Sequence, residues 1–171
     1  QNIPSLTVVV PSFNQANTIE QTLTSILDHN NPEGLQVLVF DSMSTDGTSN
    51  VLEKWENRCT ITREKDNGQS DAINKGFLKA NGEIICCLSG HCVPTDEYWL
   101  SNLIKPLADP KIAGTYGRQV PTENSDPLDV RDLVMLFPLF ISYTICLTFW
   151  CRPCFEVYFL SKYSYDLNME F

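Results

Sequence analysis

Leu6-Thr7-Val8-Val9-Val10 stops at Pro11 and runs on as Ser12-Phe13-Asn14. A run so rich in β-branched residues, without polar alternation, reads as a strand buried on both faces. Outward from it, the chain alternates strand and helix. Asn17 with Glu20 three residues on offers a capping box, and Ile19, Leu23, Ile26 and Leu27 share one helical face. Residues 35–40 form a second apolar run, and Thr48 opens a helix with Val51, Leu52 and Trp55 as its inner stripe. Residues 59–63 read as a weaker third strand. Ser70 caps a helix carrying Ala72, Ile73, Gly76, Phe77 and Ala80 inward, and Gly82 stops it. Residues 83–88 are a fourth strand. Thr95, with Asp96 and Glu97 behind it, starts a helix bearing Trp99, Leu100, Leu103, Ile104 and Leu107, and residues 112–120 close the series as a fifth strand. Strands separated by single helices pair in parallel through right-handed crossovers, which predicts an α/β fold: an open, mostly parallel sheet with helices on both faces.

The chain has 171 residues and a formal charge of −9, a length for one domain with a real core. Charged residues are 19% and hydrophobic ones 43%, which excludes disorder throughout. The acidic balance excludes a nucleic-acid partner, since a phosphate backbone is bound with Lys and Arg. Seven cysteines, an odd number, predict reduced thiols and a cytoplasmic setting. Adjacent Cys86 and Cys87 should face opposite sides of their strand and pack as small apolar residues. Cys151-Arg152-Pro153-Cys154 is a lone pair without a second pair for zinc.

Composition divides the chain near residue 133. Residues 1–132 hold 18 of the 21 acids, whereas 137–171 hold 11 of the 18 aromatics, so we divide the chain into a globular part, 1–132, and an apolar aromatic tail, 133–171. Residues 133–151 form a 19-residue run without a charge, close to the roughly 20 residues of a bilayer span. Pro138, Ser142, Tyr143 and Thr144 interrupt it. Three readings stay open for the tail: a membrane-associating segment, an irregular or incomplete C-terminus, and an extra layer on the sheet.

Polar residues gather after the strands: Pro11-Ser12-Phe13-Asn14, Asp41-Ser42-Met43-Ser44-Thr45-Asp46-Gly47-Thr48, Asp66-Asn67-Gly68-Gln69-Ser70-Asp71, Ser89-Gly90-His91 and Gly117-Arg118-Gln119. In a parallel sheet these ends share one edge, where open α/β proteins bind ligands; helix capping accounts for about half of the residues. There is no Gly-x-Gly-x-x-Gly, P-loop or Gly-x-Ser-x-Gly elbow. What remains is carboxylates (Asp41, Asp46, Asp71) and neutral hydrogen-bonding groups (Asn14, Ser42, Asn74), which suit the N–H groups of a base and the hydroxyls of a ribose.

Thr7-Val8-Val9-Val10-Pro11-Ser12-Phe13-Asn14 followed by Asp41-Ser42-Met43-Ser44-Thr45-Asp46-Gly47-Thr48 resembles the opening of the family-2 glycosyltransferases, which have the GT-A fold, and residues 64–76 resemble the segment a subgroup carries next. The resemblance spans about residues 5–121. It implies transfer of a sugar from a nucleotide-sugar donor to a glycan or lipid-linked acceptor in polysaccharide or glycan biosynthesis, in the cytoplasm or at the inner face of the membrane. By position, it implies that Pro11, Ser12, Phe13 and Asn14 line the base pocket, that Asp41 accepts from the base beside Ser42, and that Asp71 and Asn74 flank the nucleotide. The chain departs from the family pattern twice. Where most members carry Asp-x-Asp for Mn²⁺ or Mg²⁺, this chain has Ser89-Gly90-His91. His91 suits a transition metal better than Mg²⁺; alternatively it bonds the diphosphate directly, with Ser89 beside it and Arg118 neutralising charge. Ser-x-His-Cys with Trp99-Leu100 and Gly117-Arg118-Gln119 downstream resembles a rhamnosyltransferase-like subgroup. No downstream acid matches the family's catalytic base, and the general base is unassigned. The competing reading is a non-catalytic or truncated nucleotide-binding fragment.

Overall fold

The computed structural model describes residues 5–28, 34–94, 96–109, 112, 114–117, 127–128, 130–131 and 157–161, the last segment as backbone. Its elements are β1 (Leu6–Ser12), α1 (Ile19–Leu27), β2 (Gln36–Asp41), α2 (Thr48–Glu53), β3 (Thr60–Arg63), α3 (Gln69–Lys79), β4 (Ile84–Leu88), α4 (Trp99–Ile104) with a 3₁₀ turn over Lys105–Ala108, and β5 (Val157–Ser161). The sheet order is β3-β2-β1-β4-β5. The first four strands are parallel, as predicted.

The fifth strand corrects the sequence reading. Residues 112 and 114–117 have no strand conformation, and the edge is filled instead by β5, antiparallel to β4 from Ile84↔Ser161 to Leu88↔Val157. This strand comes from within the stretch set apart as the tail. Among the described residues, no helix is long and apolar enough to cross a membrane.

Strand alternation supplies two cores. Val8 and Val10 face a cluster with Ile19, Leu23 and Ile26 of α1, Leu52 of α2 and Trp99 and Leu100 of α4. Val9 faces the other side, with Leu38, Phe40, Ile85 and Ala72 of α3. Cys86 belongs to the first cluster and Cys87 to the second, as period-2 geometry requires. Burial pushes the Cys87 thiol up to about 12 and that of Cys59 to about 11, so both behave as neutral apolar groups.

Pro11 lies inside β1 instead of ending it. Its carbonyl accepts from Gly90 N at 3.0 Å, which puts the missing N–H on the β4 side, past the last β1–β4 pair, Val9↔Cys87. No ladder bond is lost there. The helix starts also shift. The residue before α1 is Thr18, not Asn17, and the one before α3 is Gly68, not Ser70; neither makes a side-chain cap bond. α4 starts at Trp99, four residues after Thr95. α3 ends at Lys79, with Ala80 rather than Gly82 as the terminating residue.

Candidate functional site

The chain runs outward from β1 to β2 and β3, then returns to place β4 on the other side of β1. That reversal opens a crevice beyond the strand ends, between the tips of β1 and β4, where doubly wound sheets take their ligands. A cavity of about 460 Å³ sits there, within the roughly 300–1,000 Å³ of small-molecule sites. Pro11, Ser12, Phe13 and Gln15 line it from the β1 tip, Ser42 from β2, Lys65, Asp66, Gly68, Gln69 and Ala72 from the β3–α3 region, and Ser89 and His91 from the β4 tip.

The wall is held by side-chain bonds between neighbouring tips. Asp66 Oδ1 accepts from Ser42 Oγ at 2.8 Å and from Gly68 N at 2.9 Å. His91 Nδ1 lies 2.8 Å from Gln15 Nε2 and 3.1 Å from Ser89 Oγ. The Gly90 carbonyl accepts from Thr22 Oγ1 at 3.0 Å and Thr18 Oγ1 at 3.2 Å, so the turn between Ser89 and His91 is fixed from α1. Two buried polar atoms of lining residues have no hydrogen-bond partner: Ser12 Oγ and Gln15 Oε1.

Of the residues selected from sequence, Pro11, Ser12, Phe13, Ser42, Ser89 and His91 come together around the cavity. Asn14, Asp41, Asp71 and Asn74 are not among its lining residues. Asn14, at φ 53°, accepts from Thr45 N through Oδ1 at 2.8 Å, and its own N–H donates to Ser44 Oγ at 2.8 Å. Asp41 is 1% exposed; it accepts from Ser44 Oγ and Ser49 Oγ and from Ser44 N at 3.3 Å. Asn14 thus ties the β1 tip to the β2–α2 loop, and Asp41 braces that loop from the end of β2. Asp71 accepts from Asn67 N at 3.0 Å and pairs with Lys75 at 3.3 Å; these contacts, the Asn67 amide first, hold its carboxyl below the usual value of 3.8. Asn74 is exposed on α3. Arg118 lies outside the described residues.

The sequence profile of Glycosyl transferase family 2 matches residues 7–161. The chain belongs to this family. Family 2 membership agrees with the resemblance read from the sequence, and the profile also takes in β5. A glycosyltransferase of Methanococcus voltae, the dolichyl N-acetyl-α-D-glucosaminyl phosphate 3-β-D-2,3-diacetamido-2,3-dideoxy-β-D-glucuronosyltransferase, is 30% identical over 124 residues, which are 66% of this chain and 38% of that protein. The O-antigen chain rhamnosyltransferase WbaN of Salmonella anatum is 22% identical over 130 residues, 75% of this chain and 41% of that protein. Among solved structures, the mannosyltransferase PcManGT of Pyrobaculum calidifontis, in complex with GDP-Man and Mn²⁺, superposes with a TM-score of 0.69 at 26% identity, covering 97% of this chain and 47% of that one. The chain therefore spans about two fifths of the length of the curated relatives it matches.

The cavity is also lined by Gln15, Lys65 and Ala72, which are absent from the strand-end clusters read in the sequence, whereas Asp66, Gly68 and Gln69 belong to the cluster after the third strand. Asp66-Asn67-Gly68 was recognisable as a turn, and its place after the third strand was a usable signal. Gln15 gave none; its amide matters because of a contact with His91, 76 positions away.

Proposed function

We propose that this chain is the donor-binding part of a glycosyltransferase that moves a sugar from a nucleoside-diphosphate-sugar to an acceptor hydroxyl in glycan or polysaccharide biosynthesis. The observation that carries the reading is a ligand-sized cavity at the topological switch point of a family 2 sheet. Phe13, 58% exposed at the cavity, offers a ring for a base to stack on. Ser12 Oγ and the Asp66 carboxylate suit base N–H groups and ribose hydroxyls, and Lys65 and His91 suit the diphosphate. Asn14 and Asp41 support this wall from behind. PcManGT was solved with GDP-Man, and the same class of donor is what these groups would recognise.

The rhamnosyltransferase-like assignment rests on Ser89-Gly90-His91 in place of two acids and on the similarity to WbaN. The acceptor is a glycan or lipid-linked glycan, by analogy with the dolichyl phosphate named for the M. voltae relative. We place the reaction in the cytoplasm or at the inner face of the membrane, as the family resemblance implies. We assign donor binding to residues 1–132, with a sheet edge supplied from 133–171.

A resident divalent cation fits these residues poorly. PcManGT carries Mn²⁺, but the described residues contain no cluster of three His, Cys, Asp or Glu side chains. The β4 tip offers one hydroxyl and one imidazole, where Mn²⁺ or Mg²⁺ takes mainly oxygen ligands and carboxylates.

A binding-only module is favoured by one observation: Asp66 is the sole carboxylate among the described cavity-lining residues, and it already accepts two bonds. Melting curves with GDP, UDP and TDP test the donor reading. One of them should raise Tm by a few degrees at millimolar concentration, and Lys65→Ala should weaken that response. No shift with any of the three would reject the donor reading. Release of sugar from the matching donor, lost in His91→Ala, would eliminate the binding-only module.

A further inference from the structure

We propose that Lys75 is a positioning residue for the donor: its ammonium ties the start of the 64–68 loop to the first turn of α3 and thereby sets where Lys65 and Asp66 stand in the cavity wall. The inference rests on the donor reading above for the identity of the ligand. Lys75 itself is not among the residues that line the cavity.

Residues 64–68, between β3 and α3, bring Lys65, Asp66 and Gly68 to the cavity. The loop is tied first to the end of β2: Glu64 N donates to Asp41 O at 3.1 Å, and Asp66 Oδ1 accepts from Ser42 Oγ at 2.8 Å. Its second tie runs to α3. Asn67 N donates to Asp71 Oδ2 at 3.0 Å, and that same oxygen lies 3.3 Å from Lys75 Nζ. Lys75 Nζ is also 3.1 Å from Glu64 Oε1. One cation thus holds both the residue that enters the loop and the carboxylate that takes the Asn67 amide.

Glu64 and Asp71 each place an oxygen within 3.3 Å of that one nitrogen. Without the ammonium they would repel across the gap it leaves, and Asp71 would be drawn away from the Asn67 amide. Asp71 and Lys75 also stand in the favourable order, acid before base at i,i+4 of a helix. Glu64 first, and Asp71 with it, hold the Lys75 ammonium above its usual 10.5, so the tie is present throughout the neutral range. The fold does not depend on it. Ala72 sits in the core and residue 76 packs on Val9, which anchors α3, and β3 is held by its register with β2. Ion pairs as exposed as these add little to global stability. Their effect is local: a wall whose competent arrangement is populated for only part of the time binds more weakly by that fraction.

The test separates local order from global stability in the full chain. Lys75→Met should speed hydrogen exchange of the Asn67 amide, followed in ¹H–¹⁵N spectra of the ligand-free protein, by about threefold or more. It should weaken the best-bound of GDP, UDP and TDP by about fivefold in titration calorimetry, while Tm falls by no more than about 4 °C. Lys75→Arg, whose guanidinium can reach both carboxylates, should return exchange and affinity to within about twofold of wild type. Glu64→Gln removes one arm of the tie and should move both readings the same way by less, and it carries the test if Lys75→Met does not fold. Unchanged affinity or unchanged exchange in the variant that folds overturns the proposal. So does a loss that Lys75→Arg shares, which would mark a packing role for the lysine stem. Failure of the wild type to bind any of the three diphosphates would instead remove the donor reading, and the Asn67 exchange would then decide whether Lys75 holds the loop.

Discussion

Asp46 joins two loops with one carboxylate. Oδ1 accepts from Thr48 Oγ1 at 2.5 Å and Thr48 N at 3.0 Å, and Oδ2 accepts from Ala16 N at 3.0 Å. The Thr48 hydroxyl first, and the Ala16 amide next, hold its carboxyl below the usual 3.8. A carboxyl depressed in the folded state stabilises the fold above its unfolded value, and that contribution disappears as pH falls through the lower, folded one. Asp46→Ala should therefore melt below wild type near neutral pH, and the difference should shrink as pH falls below the ordinary carboxyl value of 3.8. A gap independent of pH would show that the carboxylate charge is not what joins the loops. The same residues explain why the site was only partly legible. Acids and amides at strand tips look alike in sequence whether they face a ligand or a backbone N–H. Asn14 and Met43 turn through left-handed conformations, at φ 53° and 56°, and no periodicity predicts where such a loop aims its side chains. Ser12, the last residue of β1, and His91, three residues beyond β4, line the cavity, whereas Asp41, at a strand end too, is turned to its own loop by Ser44 and Ser49.

At the scale of elements, α3 lies so close to β1 that residue 76 has no room for a side chain. A Cβ on Gly76 would collide with Cγ1 of Val9 and lie 2.9 Å from Cγ2, and Val9 is fully buried in the core beneath the helix. Glycine inside a helix costs about 1 kcal/mol relative to alanine, yet filling a packed contact costs about 1–3 kcal/mol. The packing cost wins. Gly76→Ala should destabilise the chain by up to roughly 2 kcal/mol in urea unfolding. Adding Val9→Ala should give a double variant less destabilised than the two single effects summed, and strict additivity would disprove the contact. The parallel strands were legible because each is an apolar run, and the helix faces because their spacing is regular. The edge was not. Residues 112–120 have strand-like composition, but no local pattern states whether a run finds a partner; pairing depends on which segment reaches the free side of β4, and the segment that does so lies about 70 positions downstream of it.

The two edges of the whole sheet are protected by different means, and the difference is testable. β3 is four residues long, Thr60-Ile61-Thr62-Arg63, with exposed ends and a cation, features that discourage another chain from pairing there. β4 has none of them. Its five residues, Ile84-Ile85-Cys86-Cys87-Leu88, are all buried and apolar, the composition of a segment that aggregates when its edge is free. β5 covers that edge along the whole length of β4. A chain ended after residue 132 should keep α1, α2, α3 and the four parallel strands but present unpaired N–H and C=O groups along β4. Its unfolding midpoint in urea should fall, and sedimentation should show self-association that grows with concentration. A chain ended after residue 161, which keeps β5, should match the full chain in both measurements. Monomeric behaviour of the 132-residue form with an unchanged midpoint would mean that the β4 edge is protected without β5. Because β4 also carries the Ser89-Gly90-His91 turn at its tip, loss of β5 should loosen the β4 side of the cleft as well, so, on the proposed donor reading, the shorter chain should respond less to a nucleoside diphosphate even where it stays folded.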